Sequence, residues 1–283
     1  MDSPIQSVAI FGVGLIGGSF ALALRKAGFS GQIIGVSSPE TIQRARGLNV
    51  IDASATLAEA AESADLIYLS QPILRILECL PELDPFVRPE ALVTDAGSTK
   101  SAIMERAAAT LKRCQFLGGH PMAGRERRGV EAAEADLFRG RPYVLTPTNP
   151  AELETPRARE FADWIRKIGA VTLAFDAHEH DRVVAYTSHL PQLAATALAA
   201  TLDGRPEPRS GIFGPALTDS TRLALSSFDI WGDILATNPG PILDALGDYI
   251  ATLEDFRAGI EPDRMRRQFE RAQRLANAVR SSS

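Results

Sequence analysis

Apolar and polar residues follow two rhythms along this chain of 283 residues. In the first half, short apolar runs recur at Ser7 to Phe11, Gln32 to Val36, Asp65 to Leu69, Ala91 to Thr94 and Cys114 to Leu117. Runs this short and this continuous read as strands buried on both faces. Between them lie stretches of helical length, such as Gly17 to Ala27, which Gly28 stops. Strands alternating with helices predict a parallel sheet with right-handed crossovers. Arg141 to Pro147 and Ala170 to Phe175 read as two more strands. They flank a helix near Pro156 to Ile168 on which Phe161, Trp164, Ile165 and Ile168 recur at helical spacing.

From Ala177 onward no strand is predicted. Arg182 to Leu202 is rich in alanine and leucine on more than one face, the pattern of a helix buried on several sides, as between subunits. Gly204 to Pro215 reads as a loop. Helices are predicted at Ala216 to Ala224, Ser227 to Thr237, Pro239 to Gly259 and Asp263 to Val279.

The first strand runs into Gly12, Gly14 and Gly17, a GxGxxG spacing that opens a helix. Gly12 permits a tight turn, Gly14 lets a pyrophosphate approach the backbone, and Gly17 lets helix and strand pack closely. The helix N-terminus then offers free N–H groups to phosphates. The expected fold is therefore α/β: an N-terminal Rossmann-type doubly wound parallel sheet binding a dinucleotide over residues 1–176, then an all-α domain over 177–283. The candidate cofactor residues are Gly12, Gly14, Leu15, Ile16 and Gly17, with Ser37, Ser38, Ser70 and Pro72 at the ends of later strands. An NAD-preferring site carries an acid about 20 residues on, at the end of the second strand. Ser37 stands there instead, and Arg44 and Arg46 follow, so NADP is favoured over NAD. The competing reading of Ser37 and Ser38 is a helix cap ahead of Pro39.

Composition changes the picture only by exclusion. The chain is 45% hydrophobic and 23% charged, with a formal net charge of -5. That balance argues against a nucleic-acid partner. No apolar run reaches the roughly 18 residues of a membrane span, and no basic stretch leads into an apolar one at the N-terminus. A cytoplasmic enzyme is expected. Cys79 and Cys114 lack metal-ligand spacing and read as reduced thiols; no metal is expected.

Two further segments carry chemistry. Asp95 to Lys100 sits at a strand end, the edge where open α/β sheets bind ligands. Ser98 is placed to donate to a substrate oxygen or the nicotinamide. Lys100 is open to two readings, an exposed helix residue or a member of the site. His120 follows two glycines and precedes Pro121, which reads as a tight turn holding an imidazole at the same edge as Ser98. His178 and His180 lie two apart and read as a solvated helix start rather than a metal pair.

These residues resemble the prephenate/arogenate dehydrogenase family. The matching stretches are GVGLIGGS (Gly12 to Ser19), DAGSTK (Asp95 to Lys100), GGHPMAGRE (Gly118 to Glu126), Leu137-Phe138 ahead of LTPT (Leu145 to Thr148), SHLP (Ser188 to Pro191), DSTR (Asp219 to Arg222) and Trp231. The resemblance implies NAD(P)-dependent oxidative decarboxylation of prephenate, arogenate or both, in tyrosine biosynthesis. It implies a helical domain that forms a homodimer. It implies that His120 accepts the proton of the substrate hydroxyl and that Ser98 bonds that hydroxyl or orients His120. By the same resemblance Arg222 clamps a substrate carboxylate, His189 and Trp231 line the substrate pocket, and Glu126 sits at its mouth. No mutase-like extension or appended regulatory domain is apparent, so a monofunctional enzyme is expected. Two other readings are kept. A β-hydroxyacid-type dehydrogenase would carry a catalytic lysine on the helical domain, and Arg182 to Leu202 has none. A non-catalytic NAD(P)-binding regulator would need the glycine loop but not His120, His189 and Arg222 together.

Overall fold

The structure, a computed structural model, describes residues 4–124 and 127–281. Its sheet runs in the order β3-β2-β1-β4-β5-β6-β7-β8. The strands are β1 (Ser7–Phe11), β2 (Gln32–Val36), β3 (Ala53–Ser54), β4 (Leu66–Leu69), β5 (Leu92–Asp95), β6 (Gln115–Pro121), β7 (Pro142–Thr146) and β8 (Val171–Ala174). The crossovers carry α1 (Leu15–Lys26), α2 (Pro39–Gly47), α3 (Leu57–Ser63), α4 (Ile73–Leu83), α5 (Ser101–Thr110) and α6 (Pro156–Lys167). After β8 the described residues form only helices: α7 (Ala177–Val184), α8 (Leu190–Asp203), α9 (Pro215–Thr221), α10 (Phe228–Thr237), α11 (Pro239–Ala258) and α12 (Pro262–Ser281).

The central strands β4 and β5 are buried along their whole length, which is why they read as unbroken apolar runs. Alternation still sorts their side chains. Tyr68 points into one core cluster with Phe20 and Phe161, whereas Ile67 and Leu69 join the cluster on the other face. Phe20 of α1 stacks on Tyr68 at 4.1 Å between ring centroids, which fixes α1 against the sheet. The second cluster extends to Ala185, Ile234 and Ile242, so the helical part shares a core with the sheet.

Three features depart from the sequence expectation. The two-residue β3 is too short to show a periodicity. β7 pairs antiparallel with β6, not parallel. A parallel return needs a crossover, usually a helix, and the link from Pro121 to Pro142 holds only a 3-10 turn at Val130–Ala132 among its described residues. The segment Gly118 to Pro121 is not a turn but the end of β6. Its glycines serve close packing: a Cβ on Gly119 would sit 2.6 Å from the carbonyl oxygen of Asp95.

The order reverses between β1 and β4, with β2 on one side and β5 on the other. A crevice opens at the C-terminal ends of strands flanking such a switch point. The chain places Gly12, Ser70 and Ala96 there.

Candidate active site

The glycine loop is built for close approach. Gly12 has φ of +89° and lies against Ser70 and Gln71. A Cβ on Gly17 would stand 2.4 Å from both the Gly12 carbonyl oxygen and Ser70 Oγ, so any side chain there pushes α1 off the sheet. Gly14, the N-cap of α1, has nothing within 4 Å of where its Cβ would be. That open face is the cradle a pyrophosphate requires, ahead of an uncapped helix N-terminus. A cavity of about 460 Å³ is lined by Leu15, Ile16, Ser70, Gln71, Pro72 and Ser98, among others. Gln71 Oε1 is buried without a hydrogen-bond partner among the described residues, an acceptor left open beside this cavity. The residues present thus fit a dinucleotide.

A second cavity holds Gly12, Gly14, Ser37, Ser38 and Thr41. Ser38 is committed elsewhere: its hydroxyl accepts the Thr41 N–H at 3.3 Å and caps α2. Ser37 also lines a third cavity, with Arg46 and Ser54. Arg46 donates to Ser54 Oγ at 3.0 Å. Arg44 is drawn away, paired with Glu40 and, at 3.0 Å, with Glu131.

Next to the dinucleotide cavity, Asp95 ends β5 and clips two segments together. Its carboxylate accepts the N–H of Gly97 at 2.7 Å and that of Gly119 at 3.0 Å. It also pairs with Lys100, which is fully buried and donates to the Gly119 carbonyl at 2.7 Å. Burial holds the Lys100 ammonium below its usual range against the pull of Asp95. Of the two sequence readings for Lys100, the exposed one is overturned. Ser98 lies in the loop that Asp95 folds, and it lines the cavity.

His120, near the end of β6, is buried in a chain of hydrogen bonds. Its Nδ1 lies 2.8 Å from His180 Nε2, and His180 Nδ1 lies 2.8 Å from Asp181 Oδ1. Asp181 accepts the backbone N–H of Lys100 at 2.7 Å and of Ser101 at 2.8 Å. Burial holds the His120 imidazole well below the ordinary histidine range, and His180, Lys100 and His189 add to this. Burial alone would raise the Asp181 carboxyl; the His180 and backbone hydrogen bonds outweigh it and hold the group below the usual carboxylate range.

His180 is therefore not the solvated cap residue its spacing suggested. α7 begins at Ala177, with Asp176 as its cap, and His180 is buried while His178 is exposed. His189 ends a single π-helical turn, Ala185–His189, between α7 and α8. Such turns often mark functional sites. Burial pushes His189 down to about 4. Trp231 stands edge-on to its ring at 5.8 Å, and Asn238 bridges toward His189 Nδ1 at 3.4 Å while donating to the Asp181 carbonyl at 2.8 Å.

The other candidates are placed less centrally. Arg222 is exposed, at the start of the 3-10 turn Arg222–Leu225, and neither it nor His120, His189 or Trp231 is among the residues lining the dinucleotide cavity. Glu126 lies outside the described residues. Arg127 and Arg128 line the cavity, and Arg128 pairs with Asp229 at 3.0 Å. Among the described residues no group of histidine, cysteine or acidic side chains is arranged to hold a metal, and no helix is long and apolar enough to cross a membrane.

A glycine-loop sheet domain joined to a helical domain, with a buried imidazole on the strand next to the one whose loop lines the nucleotide cavity, is the build of a nucleotide-dependent dehydrogenase. Two family profiles cover the chain: "Prephenate dehydrogenase, nucleotide-binding domain" matches residues 20–173 and "Prephenate dehydrogenase, dimerization domain" matches residues 176–275. The chain belongs to the prephenate dehydrogenase family, with prephenate/arogenate dehydrogenase activity in tyrosine biosynthesis. It is 32% identical to a prephenate dehydrogenase of Lactococcus lactis over 89% of this chain and 70% of that one. It is similar to the crystal structure of the Aquifex aeolicus prephenate dehydrogenase in complex with hydroxyphenyl propionate and NAD+, with a TM-score of 0.89, 31% identity and full coverage of both chains. It is also similar to Synechocystis arogenate dehydrogenase, with a TM-score of 0.80, 29% identity and coverage of 97% and 99%.

Proposed function

We propose that His120 is the general base of this dehydrogenase, accepting the proton of the ring hydroxyl as the ring carbon is oxidised. The observation that carries this reading is an imidazole kept neutral by burial, on β6, the strand paired with β5, whose following loop lines the dinucleotide cavity. A protonated imidazole has no lone pair to offer, so neutrality is the first requirement. Bound in the cleft, the oxidised nicotinamide supplies the acceptor for the hydride. Loss of the ring carboxylate as CO2 leaves its electron pair to complete the aromatic ring. Ser98 donates to the same hydroxyl or orients His120. His189 and Trp231 form the wall of the substrate pocket.

The substrate carries two carboxylates, so the pocket needs a fixed cation. We assign Arg222 to the side-chain carboxylate, where a guanidinium fork binds in bidentate fashion. Arg222→Ala is expected to raise KM for the substrate about tenfold or more and to leave kcat nearly unchanged, because the contact exists before and during the reaction. Steady-state kinetics check this. An unchanged KM moves the role to Arg127 or Arg128.

For the cofactor, NADP is favoured. No acid closes the end of β2, and Ser37 and Arg46 share one cavity. Ser37→Asp is expected to shift the ratio of kcat/KM toward NAD by about tenfold or more, since a carboxylate repels a 2′-phosphate and accepts a ribose hydroxyl. An unmoved ratio removes Ser37 from cofactor selection. A matrix of prephenate and arogenate against NADP+ and NAD+, read by reduced-nicotinamide absorbance, fixes both preferences.

The protein is read as a homodimer through its helical domain, with the sheet domain taken as residues 1–176 and the helical one as 177–283. Large apolar side chains support this. Ile212, Leu225, Phe228 and Ile260 are all more than 70% exposed in the single chain. Sedimentation at micromolar concentration should give twice the chain mass.

A further inference from the structure

We propose that His180 and Asp181 are positioning residues that set the tautomer of His120, so that Nε2 is the ring atom left with a lone pair. This rests on the reading of His120 as the base, and it extends that reading to two residues that touch no substrate.

Asp181 accepts two backbone N–H groups, from Lys100 and Ser101 at the start of α5. An ionised carboxylate is only an acceptor, so the atom of His180 that faces it must donate. That atom is Nδ1, at 2.8 Å. A neutral imidazole with its proton on Nδ1 has its lone pair on Nε2. His180 Nε2 therefore accepts, and the atom 2.8 Å away, His120 Nδ1, must donate. With its own proton on Nδ1, His120 presents Nε2 as acceptor. The reverse order would set the Nδ1 lone pair of a neutral His180 against the Asp181 carboxylate. One carboxylate thus dictates the protonation of two rings in series.

The chain is also mechanically fixed. His180 and Asp181 are 2% and 1% exposed, so water does not compete for these bonds. Asn238, between α10 and α11, donates to the Asp181 carbonyl at 2.8 Å and holds α7 in place. Besides His180, the charged or titratable groups acting on His120 are Lys100, which donates to the Gly119 carbonyl of β6, and His189, from the π turn. Both disfavour a proton on His120. The charge that arrives during the reaction is best carried along the chain toward Asp181, the carboxylate at its far end.

The test uses the full-length enzyme. In His180→Leu, kcat is expected to fall on the order of 10²-fold, the scale of one misplaced acid–base group. KM for substrate and cofactor should stay within about twofold, because nothing that binds them has moved. His180→Gln keeps a carbonyl oxygen that can accept from His120 Nδ1, and should recover at least about tenfold of the lost kcat. A purely structural role would move KM and thermal stability and would give no rescue by Gln. Wild-type kcat in His180→Leu overturns the proposal. If His120→Asn is inactive while His180→Leu is fully active, the base stands and the positioning chain falls. If His120→Asn retains full activity, the base reading falls first. Should His180→Leu fail to fold, the wild-type enzyme decides. It has four histidines. Imidazole ¹⁵N chemical shifts of the labelled protein should show His120 protonated on Nδ1 and bare on Nε2. The opposite tautomer overturns the proposal.

Discussion

Replacing His120 by asparagine is expected to lower kcat by 10²–10⁴-fold, the range of a single acid–base group, with a folded protein and little change in cofactor binding. Asparagine keeps hydrogen-bonding capacity but cannot take up the hydroxyl proton. The pH profile carries the sign. The base works when neutral, and burial holds His120 neutral well below the ordinary histidine range near pH ~6.5. Wild-type kcat/KM should therefore stay flat as pH falls from about 8 through 6.5, and drop only below that. In His120→Asn the acid limb should vanish along with the rate. Near-wild-type turnover, or an acid limb that survives the substitution unchanged, removes His120 from the chemistry.

The second large effect is on stability. Asp95→Ala is expected to cost about 3–5 kcal/mol, the scale for one partner taken from a buried ion pair. Lys100 would be left fully buried with the Gly119 carbonyl as its remaining hydrogen-bond partner among the described residues. The N–H groups of Gly97 and Gly119 would lose their acceptor as well. For a chain of this size the melting temperature should fall by on the order of 10 °C. Asp95→Asn combined with Lys100→Met removes the charge from both sides and should cost less than the single change. Thermal and urea unfolding measure this. A loss below about 1 kcal/mol for Asp95→Ala would mean the pair is not what joins β5, its following loop and β6.

The strands and the glycine loop were legible because their physics is local. A buried strand must be apolar along its length, and a pyrophosphate loop must be glycine at fixed positions. Gly12, Leu15, Ile16, Ser70, Pro72 and Ser98 line two cavities that have Ser70 and Pro72 in common. What the chain concealed was set by tertiary packing. Gly118 and Gly119 resemble turn glycines, yet they are strand residues whose neighbours leave no room for a Cβ. The antiparallel β7 is visible only once the missing crossover helix is counted. His180 looked solvated because two residues on a helix start face different sides. That same divergence leaves His178 exposed and turns His180 into the core, 60 positions along the chain from His120. Lys100 gave no local sign of burial, because its partner Asp95 is on the preceding strand. Only the run His180-Asp181, a histidine followed by an acid, held a signal that a relay was present.

The most direct measurement is a structure of the protein with dinucleotide and a hydroxyphenyl ligand bound together. His120 Nε2 is expected within about 2.6–3.2 Å of the ligand's ring oxygen, with Ser98 beside it and Nδ1 still on His180. A ring oxygen held by other groups, with the His120 imidazole turned into the protein away from the cleft, would contradict it.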